Sequence, residues 1–125
     1  MLRGRQMHAM IPAADLARAR RFYVEKLGLV PTREESAGLV FESPAGGWFR
    51  LFPSPNAGTA KHTLAGWAVE DLEAEMAELK ANGVVFEEYD EPGMRTVGGI
   101  LANKWGRSAW FKDSEGNILS IAEPA

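Results

Sequence analysis

The sequence predicts an α+β chain built from two tandem copies of a strand–helix–three-strand (βαβββ) module. Two internal echoes carry this prediction. At an offset of 70, Leu39–Phe52 lies over Ala109–Ala122, placing Phe41 on Phe111, Gly46 on Gly116 and Leu51 on Ile121. At an offset of 56, Asp15-Leu16 falls on Asp71-Leu72, and Gly28 meets Gly83 within one residue. Repeats are sought before a fold is named, because a repeated unit fixes the architecture. Each unit alone buries its helix and sheet poorly; two together share a core and curve their sheets around a cleft. The chain has 125 residues, enough for one domain over 1–125, with module one at about 6–52, a linker at 53–61 and module two at about 62–123.

The elements follow in order. Gln6–Pro12 reads as the first strand. Asp15 has the chemistry of an N-cap, its carboxylate accepting from free backbone N–H groups. Leu16, Ala19, Phe22, Tyr23 and Leu27 then recur at helical spacing, and Gly28 ends the helix in the left-handed conformation. Strands are expected at Val30–Glu35, Leu39–Glu42 and Trp48–Phe52, the last two joined by the turn Ser43-Pro44-Ala45-Gly46-Gly47. Pro53–Lys61, with two prolines, an Asn and a Gly, is a polar connection. The pattern then restarts with a strand at Thr63–Val69. Asp71 caps a helix bearing Leu72, Met76 and Leu79, and Gly83 ends it. Strands are expected at Val84–Tyr89, Ala109–Lys112 and Ile118–Ala122, the last pair flanking the turn Asp113-Ser114-Glu115-Gly116-Asn117. The second copy is longer by about 14 residues, and the excess falls between Asp90 and Arg107.

Composition narrows the function. Fourteen basic and seventeen acidic side chains leave a formal charge of −3, so a nucleic-acid or anionic-membrane partner, either of which needs a basic patch, is not expected. The cluster Arg18, Arg20 and Arg21 reads as a solvated helix face. The absence of cysteine excludes a disulfide framework, a thiolate nucleophile and a Cys-ligated metal, and fits a reducing, cytoplasmic setting. Met1–Arg5 is basic, but no apolar stretch or small-residue cleavage site follows it, so no signal peptide is expected. No apolar run has the length of a membrane span.

Two segments carry a family resemblance. The run AADLARARRFYVEKLGLVP is similar to the first-helix motif of the vicinal-oxygen-chelate superfamily, and AWFKDSEGNILSIAEP resembles its C-terminal hairpin motif, F-x-D-P-x-G-N. Ser114 stands where that motif usually has Pro. The superfamily includes glyoxalase I, bleomycin-resistance and fosfomycin-resistance proteins, extradiol dioxygenases and methylmalonyl-CoA epimerase. The resemblance spans about Gln6 to Glu123 and implies curved sheets around a U-shaped cleft, with homodimers common and sometimes domain-swapped. Fold and chemistry are separable, so it implies no single activity.

In metal-dependent relatives, four cleft positions from the first and last strand of each module supply His, Gln or Glu. By this resemblance they correspond here to His8, Leu64, Arg50 and Ser120. Only His8 is a good ligand. Leucine has no lone pair, arginine stays protonated and serine is weak. A metal site usually takes at least three protein ligands, so no metal and no cofactor is expected. A slip of strand register that paired His62 with His8 is the one rescue the sequence offers.

Strand alternation sorts the cleft lining. Trp48 and Phe52 share the face of Arg50; Gln6 and Met10 share that of His8; Gly66 and Ala68 follow Leu64; Ile118 and Ala122 join Ser120. Trp67 belongs to the core. The expected ligand-binding set is His8, Trp48, Arg50, Ser120, Trp110 and Trp105, an amphipathic mix of the kind that lines ligand sites. Each residue also has a plainer reading. His8 is either a structural wall histidine or a ligand contact. Arg50 either binds an anion or pairs with Glu35, Glu42 or Glu87. Trp105 lies either on a mobile 90–106 lid or on a dimer contact. Three functions follow: metal-free sequestration of a small organic molecule, as in resistance proteins; a lyase or isomerase with His8 as general base and Arg50 as oxyanion holder; or a metal-dependent glyoxalase- or dioxygenase-type enzyme using His62.

Overall fold

The computed structural model describes residues 1–125. In chain order the elements are β1 (Ala9–Ala13), α1 (Leu16–Arg21), β2 (Pro31–Glu35), β3 (Gly38–Glu42), β4 (Trp48–Pro53), β5 (Thr63–Ala68), α2 (Leu72–Ala81), β6 (Asp90–Glu91), β7 (Met94–Arg95), β8 (Ile100–Asn103), β9 (Gly106–Lys112) and β10 (Ile118–Pro124). They form two four-stranded sheets of matching order, β1-β4-β3-β2 and β5-β10-β9-β8, with β6 and β7 a separate hairpin. No helix is long and apolar enough to cross a membrane.

The registers reproduce both sequence offsets. In the parallel pairs, Met10 lies opposite Arg50 and Ile11 opposite Leu51, while Gly66 lies opposite Ser120 and Trp67 opposite Ile121. In the antiparallel pairs, Val40 faces Arg50 and Phe41 faces Phe49, while Trp110 faces Ser120 and Phe111 faces Leu119. Alternation then puts one face of each sheet into a shared core. Ile11, Leu39, Phe41 and Leu51 from the first sheet join Ala109, Phe111, Leu119 and Ile121 from the second, with Phe22, Tyr23, Leu72, Met76 and Leu79 from the helical segments. Phe49 and Trp67 pack against this cluster and meet edge to face at 6.2 Å. Strands β1 and β5 lie against each other where the two sheets meet.

Both helices begin as expected, Asp15 accepting from the Arg18 N–H at 3.0 Å and Asp71 from the Ala74 N–H at 3.1 Å. Gly28 and Gly83 follow with φ of +71° and +95°. The first helix departs from a plain α-helix. After Arg21 it widens into a π turn over Phe22–Lys26, in which Leu27 donates to the Phe22 carbonyl. The wider turn accompanies burial of two adjacent aromatic rings, Phe22 and Tyr23.

Two strand expectations need correction. The first strand starts at Ala9, leaving Gln6, Met7 and His8 ahead of it. Val84–Tyr89 is no strand: Phe86 makes a single bridge to Phe111, and the Glu87 N–H donates to the Trp110 carbonyl. The outer edge of β9 is instead shared between this segment and β8, which pairs with Gly106–Ala109. The extra residues of the second module split its edge strand in two. Thr96, buried, ties the inserted β6–β7 hairpin back to the Tyr89 backbone.

The Asp113–Asn117 turn locks the second sheet onto the first helix. The Asp113 carboxylate accepts from the Glu115 and Asn117 N–H groups, the Asn117 amide and the Tyr23 hydroxyl, the last at 2.6 Å. Asn117 donates to the Pro12 carbonyl. Glu115 receives the Arg18 guanidinium through two hydrogen bonds, and the Asp15 N–H and the Ser114 hydroxyl as well. Tyr23, Asp113, Glu115 and Asn117 are buried and fully partnered, the condition under which a buried polar network is tolerated.

Candidate functional site

The sheet faces turned away from the helices carry the residues of the candidate site. On the first sheet, Val40, Arg50 and Met10 form one row across β3, β4 and β1. On the second, Trp110, Ser120 and Gly66 form the corresponding row across β9, β10 and β5. Because β1 and β5 are neighbours, the rows approach each other at their Met10 and Gly66 ends.

The first row supports an aromatic and charged cluster. Trp48 lies two residues before Arg50 on the same face, and the His8 imidazole stacks flat on its indole, with ring centroids 3.8 Å apart and planes 12° apart. The guanidiniums of Arg50 and Arg33 sit 5.5 and 5.8 Å from the same indole, within cation–π range. Arg50 pairs with Glu35 at 2.6 Å, which settles which of the three acidic candidates is its partner. Glu35 also faces the Arg33 Nε at 3.5 Å, and Arg33 bonds Glu42 at 3.0 Å. The Arg50 hydrogen bond holds the Glu35 carboxyl below its ordinary range; partial desolvation opposes this, and Arg33 adds to it.

The Arg50 side chain is only 18% exposed. Its Nη1 has the Met10 sulfur at 3.8 Å, and its Nε is buried with no acceptor. Glu35 is therefore the one oxygen acceptor on a guanidinium with five N–H donors.

The second row is neutral. The Trp110 indole N–H donates to the Thr63 hydroxyl at 3.0 Å, and Tyr89 meets the indole edge to face at 5.9 Å. Gly66 and Ser120 form a tight floor: a Cβ at Gly66 would lie 2.4 Å from the Ser120 Oγ. An open depression of about 560 Å³ is lined by Glu88, Tyr89, Asp90, Arg95 and Thr96.

Of the six residues expected to bind ligand, the structure gathers His8, Trp48 and Arg50 in direct contact, and sets Trp110 opposite Ser120 on the other sheet. Trp105 is not gathered with them. It stands at the tip of the β8–β9 hairpin, 75% exposed, beside the Lys104 ammonium. The 90–106 segment is largely a pair of hairpins, β6–β7 and the start of β8–β9, rather than a plain loop.

Leu64 also differs from expectation. A register shift at the start of β5 makes Thr63 the partner of Ile118 and turns Leu64 toward the core. Thr63 is thus the counterpart of His8. Neither this bulge nor the role of Tyr89 has a signature in the sequence; Arg33 was legible only as a residue of the same strand parity as Glu35.

A divalent cation of the kind used by metal-dependent relatives does not fit these residues. The four positions hold His8, Thr63, Arg50 and Ser120, and no three His, Asp or Glu side chains converge in a way that could hold a metal ion. His62 does not join His8; its ring lies against the Thr63 carbonyl. Arg50 places a permanent positive charge where a cation would sit.

Comparison with solved structures places the fold. UcmS2 superposes with a TM-score of 0.75 at 22% identity, covering 96% of this chain and 98% of that one. TnmS3, an antibiotic binding protein from Streptomyces sp. CB03234, gives 0.70 at 23% identity, covering 97% and 98%. The genomically encoded fosfomycin resistance protein FosX from Listeria monocytogenes gives 0.71 at 16% identity, covering 100% and 96%. No curated protein sequence matches significantly. Residues 5–121 match a family model, and with the paired sheets and the hairpin motif this establishes that the chain belongs to the Glyoxalase/Bleomycin resistance protein/Dioxygenase superfamily.

Proposed function

We propose that the protein binds a small, planar organic molecule in a metal-free cleft, as a sequestration or resistance protein does. The observation that carries this is the Trp48 platform. An indole already stacked by an imidazole at 3.8 Å is set to stack an aromatic ring in the same place. His8 precedes β1 and is exposed, so it can yield that place to a ligand. Trp110, Tyr89 and the Gly66–Ser120 floor supply a neutral surface on the second sheet. The antibiotic-binding and resistance neighbours agree with this reading.

Binding is favoured over general-base catalysis by His8. Its imidazole lies flat on the Trp48 indole, the arrangement by which an aromatic ring is held. The reading includes a cytoplasmic homodimer acting on a small-molecule ligand, with neither nucleic acid nor membrane as partner; light scattering on the purified protein tests the dimer.

The test of binding is titration with naphthalene-2-carboxamide, followed by tryptophan emission and calorimetry, with and without EDTA. Saturable binding indifferent to EDTA is expected. Absence of binding, or binding abolished by EDTA, contradicts the proposal.

A further inference from the structure

The cleft also carries a preference for charge. We propose that Arg50 is the receptor for a carboxylate on the aromatic ligand, and that Glu35 is an intramolecular carboxylate that holds this receptor when no ligand is bound. The inference rests on the binding reading above and names the ligand class: a planar aromatic acid.

Three observations lead here. Arg50 is mostly covered, yet only one of its donors reaches an oxygen, and its Nε has no acceptor at all. A guanidinium presents a planar fork matched to a two-oxygen anion, and Glu35 engages it through a single nitrogen, so the fork is under-used. The groups covering it can move. Met10 lies against Nη1 with a flexible, 40% exposed side chain, and Glu35 is an exposed residue on the edge strand β2. Finally, Glu35 has somewhere to go. Arg33 Nε is already 3.5 Å from its second oxygen, so Glu35 can leave Arg50 and remain paired.

The platform and the receptor adjoin. The Arg50 guanidinium carbon is 5.5 Å from the Trp48 ring. A ring stacked on that indole in place of His8 therefore presents a substituent carboxylate within reach of Arg50. Ligand carboxylate and Glu35 compete for one cation, so removing the Glu35 charge strengthens binding, whereas removing the Arg50 charge erases the preference.

The experiment compares naphthalene-2-carboxylate with its neutral isostere naphthalene-2-carboxamide by calorimetry. On the wild type, the carboxylate is expected to bind about tenfold more tightly, the scale of one charge-assisted interaction. Glu35→Gln is expected to tighten carboxylate binding about threefold or more, with a smaller change for the carboxamide. Arg50→Gln is expected to bring the carboxylate down to the carboxamide level. Circular dichroism checks that each variant folds; if Arg50→Gln does not, Glu35→Gln decides alone. Equal affinities on the wild type, or a Glu35→Gln variant that binds the carboxylate no better, overturn this inference while leaving the binding reading intact. Failure of both ligands to bind overturns both.

Discussion

The two sheets match in register along their central rows and differ there at every position on the face away from the helices. Where the first sheet has Val40, Arg50 and Met10, the second has Trp110, Ser120 and Gly66. The bulk sits at the centre of one row and at the outer end of the other. Charge follows the same split: two guanidiniums and two carboxylates surround Trp48, whereas Trp110 is held by Thr63 and Tyr89. On the core side, by contrast, both sheets present apolar residues at equivalent positions, such as Phe41 with Phe111 and Leu51 with Ile121. Duplicated geometry is preserved where the halves pack on each other and abandoned where they face a cleft.

The hairpin turns make the same point. Ser43 and Asp113 occupy equivalent places, each N–H bonded to the carbonyl four residues on, Gly47 and Asn117 respectively. One turn is exposed; the other is the buried anchor of the first helix. Asp113→Ala strips partners from Tyr23, Asn117 and two backbone N–H groups and is expected to destabilise the fold by about 3 kcal/mol. Ser43→Ala removes one exposed hydrogen bond and is expected to cost less than about 0.5 kcal/mol. Urea unfolding measures both, and equal costs would break the contrast.

A second contrast concerns the β1–β5 pair. Gly66→Ala sets a Cβ 2.4 Å from the Ser120 Oγ and 2.9 Å from its carbonyl oxygen, and is expected to cost about 2 kcal/mol. The equivalent Met10, 40% exposed, is expected to tolerate Ala at less than about 1 kcal/mol. Thermal melts compare the two.

The anchor is also acid-sensitive. Burial works to raise the Glu115 carboxyl, but its bonds from Arg18, the Asp15 N–H and Ser114 outweigh this and lower it from 4.5 to about 2. A carboxylate depressed in the folded state stabilises the fold fully above its ordinary value, and that contribution is lost as pH falls from 4.5 toward 2. Glu115→Gln is expected to be less stable than wild type at pH 7, with the gap closing across that window; a constant gap from pH 7 to pH 2 would contradict it.

A further contrast concerns ligand binding. Trp48→Ala is expected to weaken naphthalene-2-carboxamide by about 1 kcal/mol, and Trp105→Ala by nothing measurable, since Trp105 stands exposed at the β8–β9 hairpin tip. A larger loss at Trp105 would return that residue to the site.

Much of this was legible in the sequence. Periodicity and caps gave both helix starts, and the offsets of 56 and 70 gave the duplicated module. His8 and Arg50 were named by the family resemblance, and Trp48 by strand alternation with Arg50. What escaped had no period to read. The bulge that exchanges Leu64 for Thr63 is a one-residue slip inside an apolar strand. The split edge strand of the second module depends on where the inserted hairpin folds back, which Thr96 and Glu88 decide through tertiary hydrogen bonds. Trp105 was assigned either to a glycine-rich 90–106 lid or to a dimer contact, and hairpin pairing across that segment has no period that separates the two.

The most direct measurement is metal stoichiometry by elemental mass spectrometry, after equilibrating wild-type protein and His8→Ala with zinc, manganese and nickel and removing free ions. The predicted result is well under one ion per chain in both proteins, the outcome for a site with fewer than three protein ligands. One ion per chain in the wild type, lost in His8→Ala, would contradict a cleft whose cation-binding positions have passed to Thr63, Arg50 and Ser120.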